Sequence, residues 1–498
     1  MAFPSLLYLH SPASRVPLAA KESLCDLGLG DAPGERVLPV LAVGADEAEI
    51  PARQAIFSLL DEDPAAADTL RAAAADAAAL ARLLRALAHT ESAAGQDLLF
   101  LHAAQTAVSL IGRLETLPVR GALLGGMREA LAALTATGWY QNFRRAAALA
   151  PPWTGEAVRL RLPQRPVELR AFGGMPTGEM WDALAAQMGG EIVPGRRSAS
   201  RRLPDGFFEA LFRLDEERGR AAHALRERYA PFLLEADWDL STLTPIADEI
   251  DFLLVMRRFF DELRGAGFPL TYPALSPARE LRLTDVYDVS LVRRGLTAAQ
   301  IVPNDAAFSL GGGAHDNFFF LTGANGGGKT SYLRALGAAA VLFLNGCPVP
   351  CRGGAMGCFS RLFTHFPNTE DYHDSGRFAD ELRRAEEIRA AAGPETLAFL
   401  NETFSGADEA RSAEAGRALA ETLWQSGAFG VYVTHIHTLT GGDVPALAAV
   451  VDEADGNRRT YRITRVRRTD SSHAADILYR YGLTREQLAE RRRTHAGD

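Results

Sequence analysis

Phe318-Phe319-Phe320-Leu321-Thr322-Gly323-Ala324-Asn325-Gly326-Gly327-Gly328-Lys329-Thr330-Ser331 is the stretch on which the reading of this chain turns. Phe318 to Leu321 form a short apolar run of the kind that makes a buried strand, and Tyr332-Leu333-Arg334-Ala335-Leu336-Gly337 opens an amphipathic helix. Between them lies the spacing GxxxxGK followed by Ser or Thr, in the strand–loop–helix context that a phosphate-binding loop requires. The glycines let backbone N–H groups turn inward around phosphate oxygens, and the helix start adds the positive end of its dipole. Lys329 is expected to meet the phosphates as a point charge and the Thr330 hydroxyl to ligate Mg²⁺. Gly323, Asn325, Gly326, Gly327, Gly328 and Ser331 complete the expected nucleotide cradle. A chance glycine-rich turn seldom carries both the spacing and the flanks.

Two further apolar runs lie downstream. Thr396-Leu397-Ala398-Phe399-Leu400 ends in Asn401-Glu402, and Val431-Tyr432-Val433-Thr434 ends in His435. In a nucleotide site the first residue of the Asn401-Glu402 pair is expected to hold the metal's water shell. The second, Glu402, would orient the water that attacks the γ-phosphate. His435 is expected to reach that phosphate from a neighbouring strand end, where ligands of such sheets collect. A lone histidine would more often be structural; three strands converging in this order favour the functional reading. Short strands alternating with helices beyond Pro277 predict a parallel α/β sheet.

These residues resemble the MutS family of DNA mismatch-repair ATPases, an ABC-type branch of the P-loop proteins. The similar segments are TGANGGGKTSYLRALG, GCPVPC, RLFTHF, SGRFADEL (Ser375 onward), LAFLNETFSG and YVTHIHTL, with VPND (Val302 onward) upstream and SSHAADILYRYGLT in the tail. Together they span roughly residues 280–485. The resemblance implies an α/β P-loop NTPase domain of ABC/MutS type, ATP and Mg²⁺ as cofactors, and a homodimer with composite ATP sites joined through the ATPase domains. Ser375, at a helix start, would approach the γ-phosphate held by the other subunit, with Ser405, Gly406 and Asp408 at the seam. Three departures stand out. Asn401 replaces the usual aspartate, which removes a negative charge at the metal and predicts weaker metal binding or slow turnover. No mismatch-reading domain is detectable at the N-terminus, and no C-terminal oligomerisation module is expected after Arg493.

The remaining sequence bounds this reading. The chain has 498 residues, 47% hydrophobic and 23% charged, with a net charge of −9. That is ordinary globular usage with room for several domains, and it argues against a constitutively basic nucleic-acid coat but not against a local basic groove. Of the 53 basic residues all but Lys21 and Lys329 are arginine, so the retained Lys329 has a chemical reason to persist. No apolar run is long enough to span a membrane, and the start MAFPSLLYLHSPAS lacks a basic leader; a cytoplasmic, non-membrane location is expected. Four cysteines do not make a disulfide framework. Cys347, Cys351 and Cys358 are irregularly spaced for zinc, and free thiols are expected.

Three regions are expected. Residues 1–50 read as short strands and loops, from LLYL and VLPVLAV. Residues 51–275 read as a mainly α-helical core and lever region, with Leu70, Ala73, Ala77, Leu80, Leu83, Leu84 and Leu87 at helical spacing and a small β insertion near 155–172. Residues 276–498 form the ATPase domain, after punctuation by Pro269, Pro273 and Pro277. Two arginine clusters are candidate DNA contacts: Arg196, Arg197, Arg201 and Arg202, and Arg458, Arg459, Arg462, Arg465, Arg467 and Arg468. Solvated charge is the commoner explanation of both. The leading expectation is therefore a dimeric, DNA-associated ATPase in which ATP draws two heads together and moves helical arms. The alternatives are a nucleotide-dependent switch or scaffold that barely hydrolyses, motivated by Asn401, and an ABC-type ATPase acting on a protein partner.

Overall fold

The computed structural model describes residues 4–30, 33–150, 158–161, 166–169, 178–189, 191–192, 206–234, 240–311, 314–366, 374–404, 409–435, 444–452 and 458–466. The chain divides into two compact units, residues 1–9 with 58–254, and residues 10–57 with 255–498.

Helix propensity and small side chains build the first unit. Asp63 caps the helix Pro64–Ala88 by accepting from Ala65 N at 2.9 Å, and Pro64 sits in the first turn, where no N–H is needed. Its buried stripe is Ala66, Ala67, Leu70, Ala73, Ala77, Leu80 and Leu83, the spacing seen in the sequence. Ser92 caps the partner helix Ala93–Thr116 through Gly95 N at 3.1 Å. Alanines at Ala73, Ala77, Ala103, Ala104 and Ala107 are fully buried, so apolar surface without bulk faces inward on both helices. The hairpin expected near residues 155–172 is present: β1 (Val158–Arg161) pairs antiparallel with β2 (Pro166–Leu169), and β3 (Glu191–Ile192) joins β1. The cluster Arg196, Arg197, Arg201 and Arg202 lies outside the described residues.

Of the two segments expected as strands before residue 50, LLYL in the first unit forms bends, and VLPVLAV in the second unit is helical. VLPVLAV forms a 3-10 turn (Glu35–Val37) and the helix Leu38–Val43, whose buried Leu38 and Leu41 are three apart. A continuous apolar run does not distinguish strand from helix, and Pro39 suits a helix's first turn while removing a strand's ladder donor. Residues 10–57 are bound into this unit. Leu362 N donates to Leu18 O at 2.6 Å, Thr364 Oγ1 to Asp26 Oδ2 at 2.6 Å, and Arg334 Nε to Asp26 O at 3.0 Å. Arg53 is fully buried, between Glu49 (3.6 Å) and Asn345 Oδ1 (3.2 Å), while Arg15 grips both Glu49 oxygens at 2.6 Å.

Two sheets carry the rest. The smaller, which the sequence reading did not anticipate, is β4 (Ala274–Leu275), β5 (Glu280–Val286), β6 (Asn304–Gly311), β7 (Ala314–Asp316) and β9 (Gly353–Met356) in the order β4-β9-β5-β6-β7. The larger contains β8 (Phe318–Gly323), β10 (Arg361–His365), β11 (Thr396–Asn401), β12 (Phe429–Val433), β13 (Ala446–Asp452) and β14 (Arg458–Val466). Its order is β10-β11-β12-β8-β13-β14; the first five are parallel, as expected, and β14 closes the edge antiparallel to β13. Every residue of β8, β11 and β12 is buried, the pattern of parallel strands covered on both faces. Among the described residues no helix is long and apolar enough to cross a membrane.

Candidate functional site

β8, β12 and β11 lie side by side with Val433 opposite Leu321 and Asn401 opposite Val433, so their C-terminal ends are level. That register sets the phosphate-loop sequence, His435 and Glu402 around one opening. There a cavity of about 600 Å³ is lined by Asn325, Gly326, Gly328, Lys329, Thr330, Ser331, Glu402 and His435. It falls in the size range of small-molecule and cofactor pockets. The strand feeds the loop through Gly323 (φ 131°), where an added Cβ would lie 2.8 Å from Ala449 Cβ and 2.9 Å from Ala449 N on β13. Gly328 (φ 90°) turns the chain into the helix Lys329–Phe343 in the left-handed region that glycine adopts without penalty.

Lys329 is 5% exposed, and its ammonium donates to Gly323 O at 2.8 Å and Ala324 O at 3.1 Å. Burial pulls its pKa down to about 8, with Glu402 opposing the shift and Arg459 adding to it. Thr330 Oγ1 donates to Asn401 Oδ1 at 3.3 Å, which joins the two residues assigned to the metal. Glu402 stands in a left-handed backbone conformation (φ 52°), with its N–H on Val433 O at 2.9 Å. Its carboxylate meets His435 Nε2 at 2.7 Å; that bond chiefly, together with the charge of Lys329, holds the carboxyl below its usual range. Non-glycine residues with positive φ are uncommon, and here Glu402, at the cavity, and Phe404 (φ 68°), in the core, both follow β11. Thr403, between them, is fixed by His365 Nδ1 at 3.1 Å and by Tyr432, whose hydroxyl donates to Thr403 O at 3.0 Å.

Of the sequence-predicted residues, Asn325, Gly326, Gly328, Lys329, Thr330, Ser331, Glu402 and His435 line the cavity, and Asn401 reaches it through Thr330. Gly323 and Gly327 instead press on Ala449, beneath the loop. Ser375 falls in the first turn of the helix Asp374–Ala390, with its side chain outside the described residues, as are Ser405, Gly406 and Asp408.

The sequence reading quoted Val302, Asn304 and Tyr332 only within similar segments and assigned no site role to the rest of the lining, the far wall, which includes Val286, Tyr287, Asp288, Ile301, Val302, Asn304, Tyr332 and Tyr461. Tyr461 is the most informative. β14 carries extra residues there, with Ala449 opposite Ile463 but Val451 opposite Arg459. This bulge puts Tyr461 at φ 58° with its ring beside Gly328. Asn304 pins the bulge from both sides: Nδ2 donates to Tyr461 O at 3.0 Å, and Oδ1 accepts from Ile463 N at 2.7 Å. Within the arginine cluster of β14, Arg462 donates to Pro303 O at 2.9 Å, Arg465 grips Asp316 and Arg459 Nε donates to Asn325 O at 3.2 Å. These contacts tie much of the cluster to the chain itself. Cys347 and Cys351 are buried free thiols raised by desolvation, Cys351 to about 12.

Fold and cavity together define a helical region followed by an α/β domain of mixed sheets, with the candidate site at the strand ends. The chain is a MutS-related protein. A family model described as MutS domain V matches residues 319–482. The chain is 28% identical over 251 residues to an Endonuclease MutS2 of Pelotomaculum thermopropionicum, a match covering 49% of this chain and 30% of that protein. It is 28% identical over 155 residues to the mitochondrial DNA mismatch repair protein MSH1 of Arabidopsis thaliana, covering 30% and 14%. With a DNA mismatch repair protein MutS of Bacillus thuringiensis it shares 26% over 219 residues, covering 44% and 23%. The chain thus matches less than a third of the length of each of these relatives.

Proposed function

We propose that the cavity binds ATP with Mg²⁺ and hydrolyses it to ADP and phosphate. The observation that carries this reading is the convergence of Lys329, Thr330, Glu402 and His435, from three separate strand ends, on one opening. Lys329 holds the β- and γ-phosphates, exchanging two carbonyl contacts for charge-assisted ones. The Thr330 and Asn401 side-chain oxygens fit a hard cation's preference for oxygen, with one charge fewer than a carboxylate would give. When bound, Mg²⁺ supplies neutralisation of the phosphate charge. Glu402, kept ionised, orients the attacking water and accepts its proton, while His435 faces the terminal phosphate. Tyr461 offers its ring to the base from the far wall.

By likeness to relatives named for endonuclease and mismatch-repair roles, the domain works on DNA, as a homodimer whose two heads close on ATP and move the helical region. Asn401 favours a second reading, a nucleotide switch that turns over slowly. Calorimetry of Mg·ATP against the wild-type protein and Lys329→Ala tests the core of the reading. Binding by the wild type that weakens about a hundredfold or more in the variant is expected from losing a buried charge at the phosphates. Equal binding by the two proteins removes the phosphate role. Salt-dependent binding to plain, mismatched and branched duplexes tests the DNA assignment, and no binding at low salt ends it.

A further inference from the structure

The edge strand β14 contributes more than a wall. Gly323 and Gly327 lie so close to Ala449 of β13 that the loop rests on that strand, and β14 is the next strand out. Arg459 stands opposite Val451, just before the bulge that turns Tyr461 to the cavity. From there its side chain returns to the loop, and its Nε donates to the carbonyl of Asn325, a residue that lines the cavity. This contact joins residues 134 positions apart, so it is a product of the tertiary fold.

We propose that Arg459 is the second cation of the triphosphate site: it anchors the crown of the loop through the Asn325 carbonyl and adds a guanidinium charge beside Lys329. The inference rests on the reading of the cavity as a nucleotide site. The geometry supports it: Nε, 3.2 Å from the Asn325 carbonyl, holds the guanidinium against a residue that lines the cavity, on the same loop as Lys329. Holding two cations together costs free energy in the empty site, and a polyanion relieves that cost. Arg462 and Arg465 on the same strand do not share this placement; they bind Pro303 O and Asp316.

The test compares the full-length wild type, Arg459→Gln and Arg459→Lys by calorimetry with Mg·ATP, inorganic tripolyphosphate and AMP. Arg459→Gln is expected to bind ATP and tripolyphosphate about 10–100-fold more weakly, the scale of one charge-assisted contact. AMP binding should stay within about threefold, and Arg459→Lys should recover most of the loss because it restores the charge. The proposal is overturned if Arg459→Gln binds tripolyphosphate like the wild type. It is equally overturned if AMP is lost as strongly as ATP, which would make the residue a structural prop of the loop, or if lysine behaves like glutamine. A wild type that binds neither ATP nor tripolyphosphate overturns the nucleotide reading as well, and that control separates the two failures.

Discussion

The two walls of the cavity are built in opposite ways. The loop wall, Gly323–Ser331, is contiguous in sequence, and its chemistry is spelled out by the spacing of four glycines, a lysine and a threonine. The far wall gathers Asp288, Ile301, Asn304 and Tyr461 from separate loops and strands, with Tyr332 from the helix after the loop. One wall carries the glycine backbone and a single ammonium; the other mixes the rings of Tyr332 and Tyr461 and the aliphatic Ile301 with the polar Asp288 and Asn304, the last of which clamps the Tyr461 bulge. The difference teaches that the loop's glycines, lysine and threonine are a local property of the chain, whereas the side chains gathered around them are a property of the fold.

The comparison is broken most severely on the catalytic side. Steady-state turnover of Glu402→Gln should fall by about 10²–10⁴, the usual worth of a positioned general base. ATP affinity should change little, because Glu402 holds neither phosphate nor base. Unchanged turnover removes Glu402 from the mechanism.

The far wall is sharpened by Tyr461→Gly, which removes the ring while accommodating the positive φ. ATP affinity should drop about 5–100-fold, in line with aromatic–base stacking, and tripolyphosphate affinity should stay put. Tyr461→Phe should behave like the wild type. If the glycine variant loses both ligands equally, the two walls are not energetically separable.

A smaller and graded effect comes from pH. The Lys329 pKa lies at about 8 in the free protein, lowered by burial, while phosphate favours the ammonium form. The bound pKa is therefore higher, and ATP affinity should be flat below about pH 7. It should then weaken as pH rises through 8, approaching about tenfold per unit. A titration series showing constant affinity from pH 7 to 9 contradicts this. The least change is expected for Asn401→Asp, which restores a carboxylate next to Thr330. It should lower the Mg²⁺ concentration needed for half-maximal turnover by about a few-fold, since the added charge draws the cation while burial of the position offsets part of the gain. A large gain in rate would favour the switch reading of the natural chain.

Part of the architecture was legible for physical reasons. The helix Pro64–Ala88 announced itself because a stripe at three- and four-residue steps has one geometric solution, and Leu70, Ala73, Ala77, Leu80 and Leu83 are buried, with Leu84 and Leu87 at its half-buried margin. FFFLTG, TLAFLN and FGVYV read as strands because short, wholly apolar runs next to glycine or polar ends suit a sheet covered on both faces. VLPVLAV misled, since a run with no polar alternation carries no period, and its helical form follows from Pro39 and the buried Leu38 and Leu41. The sheet of β4, β5, β6, β7 and β9 was not read because β4, β7 and β9 are only two, three and four residues long and β9 reaches β5 across more than seventy residues, as Met356 does with Leu281.

By itself the sequence determined the loop: glycines that free the backbone, one ammonium and one hydroxyl at fixed steps, between a strand and a helix. Tertiary structure alone decided what stands opposite. The bulge at Tyr461, its clamp by Asn304 and the return of Arg459 to Asn325 join residues more than 130 positions apart. Such contacts leave no local trace, because their energy is realised only once β13 and β14 have paired and the sheet has brought the edge strand to the loop.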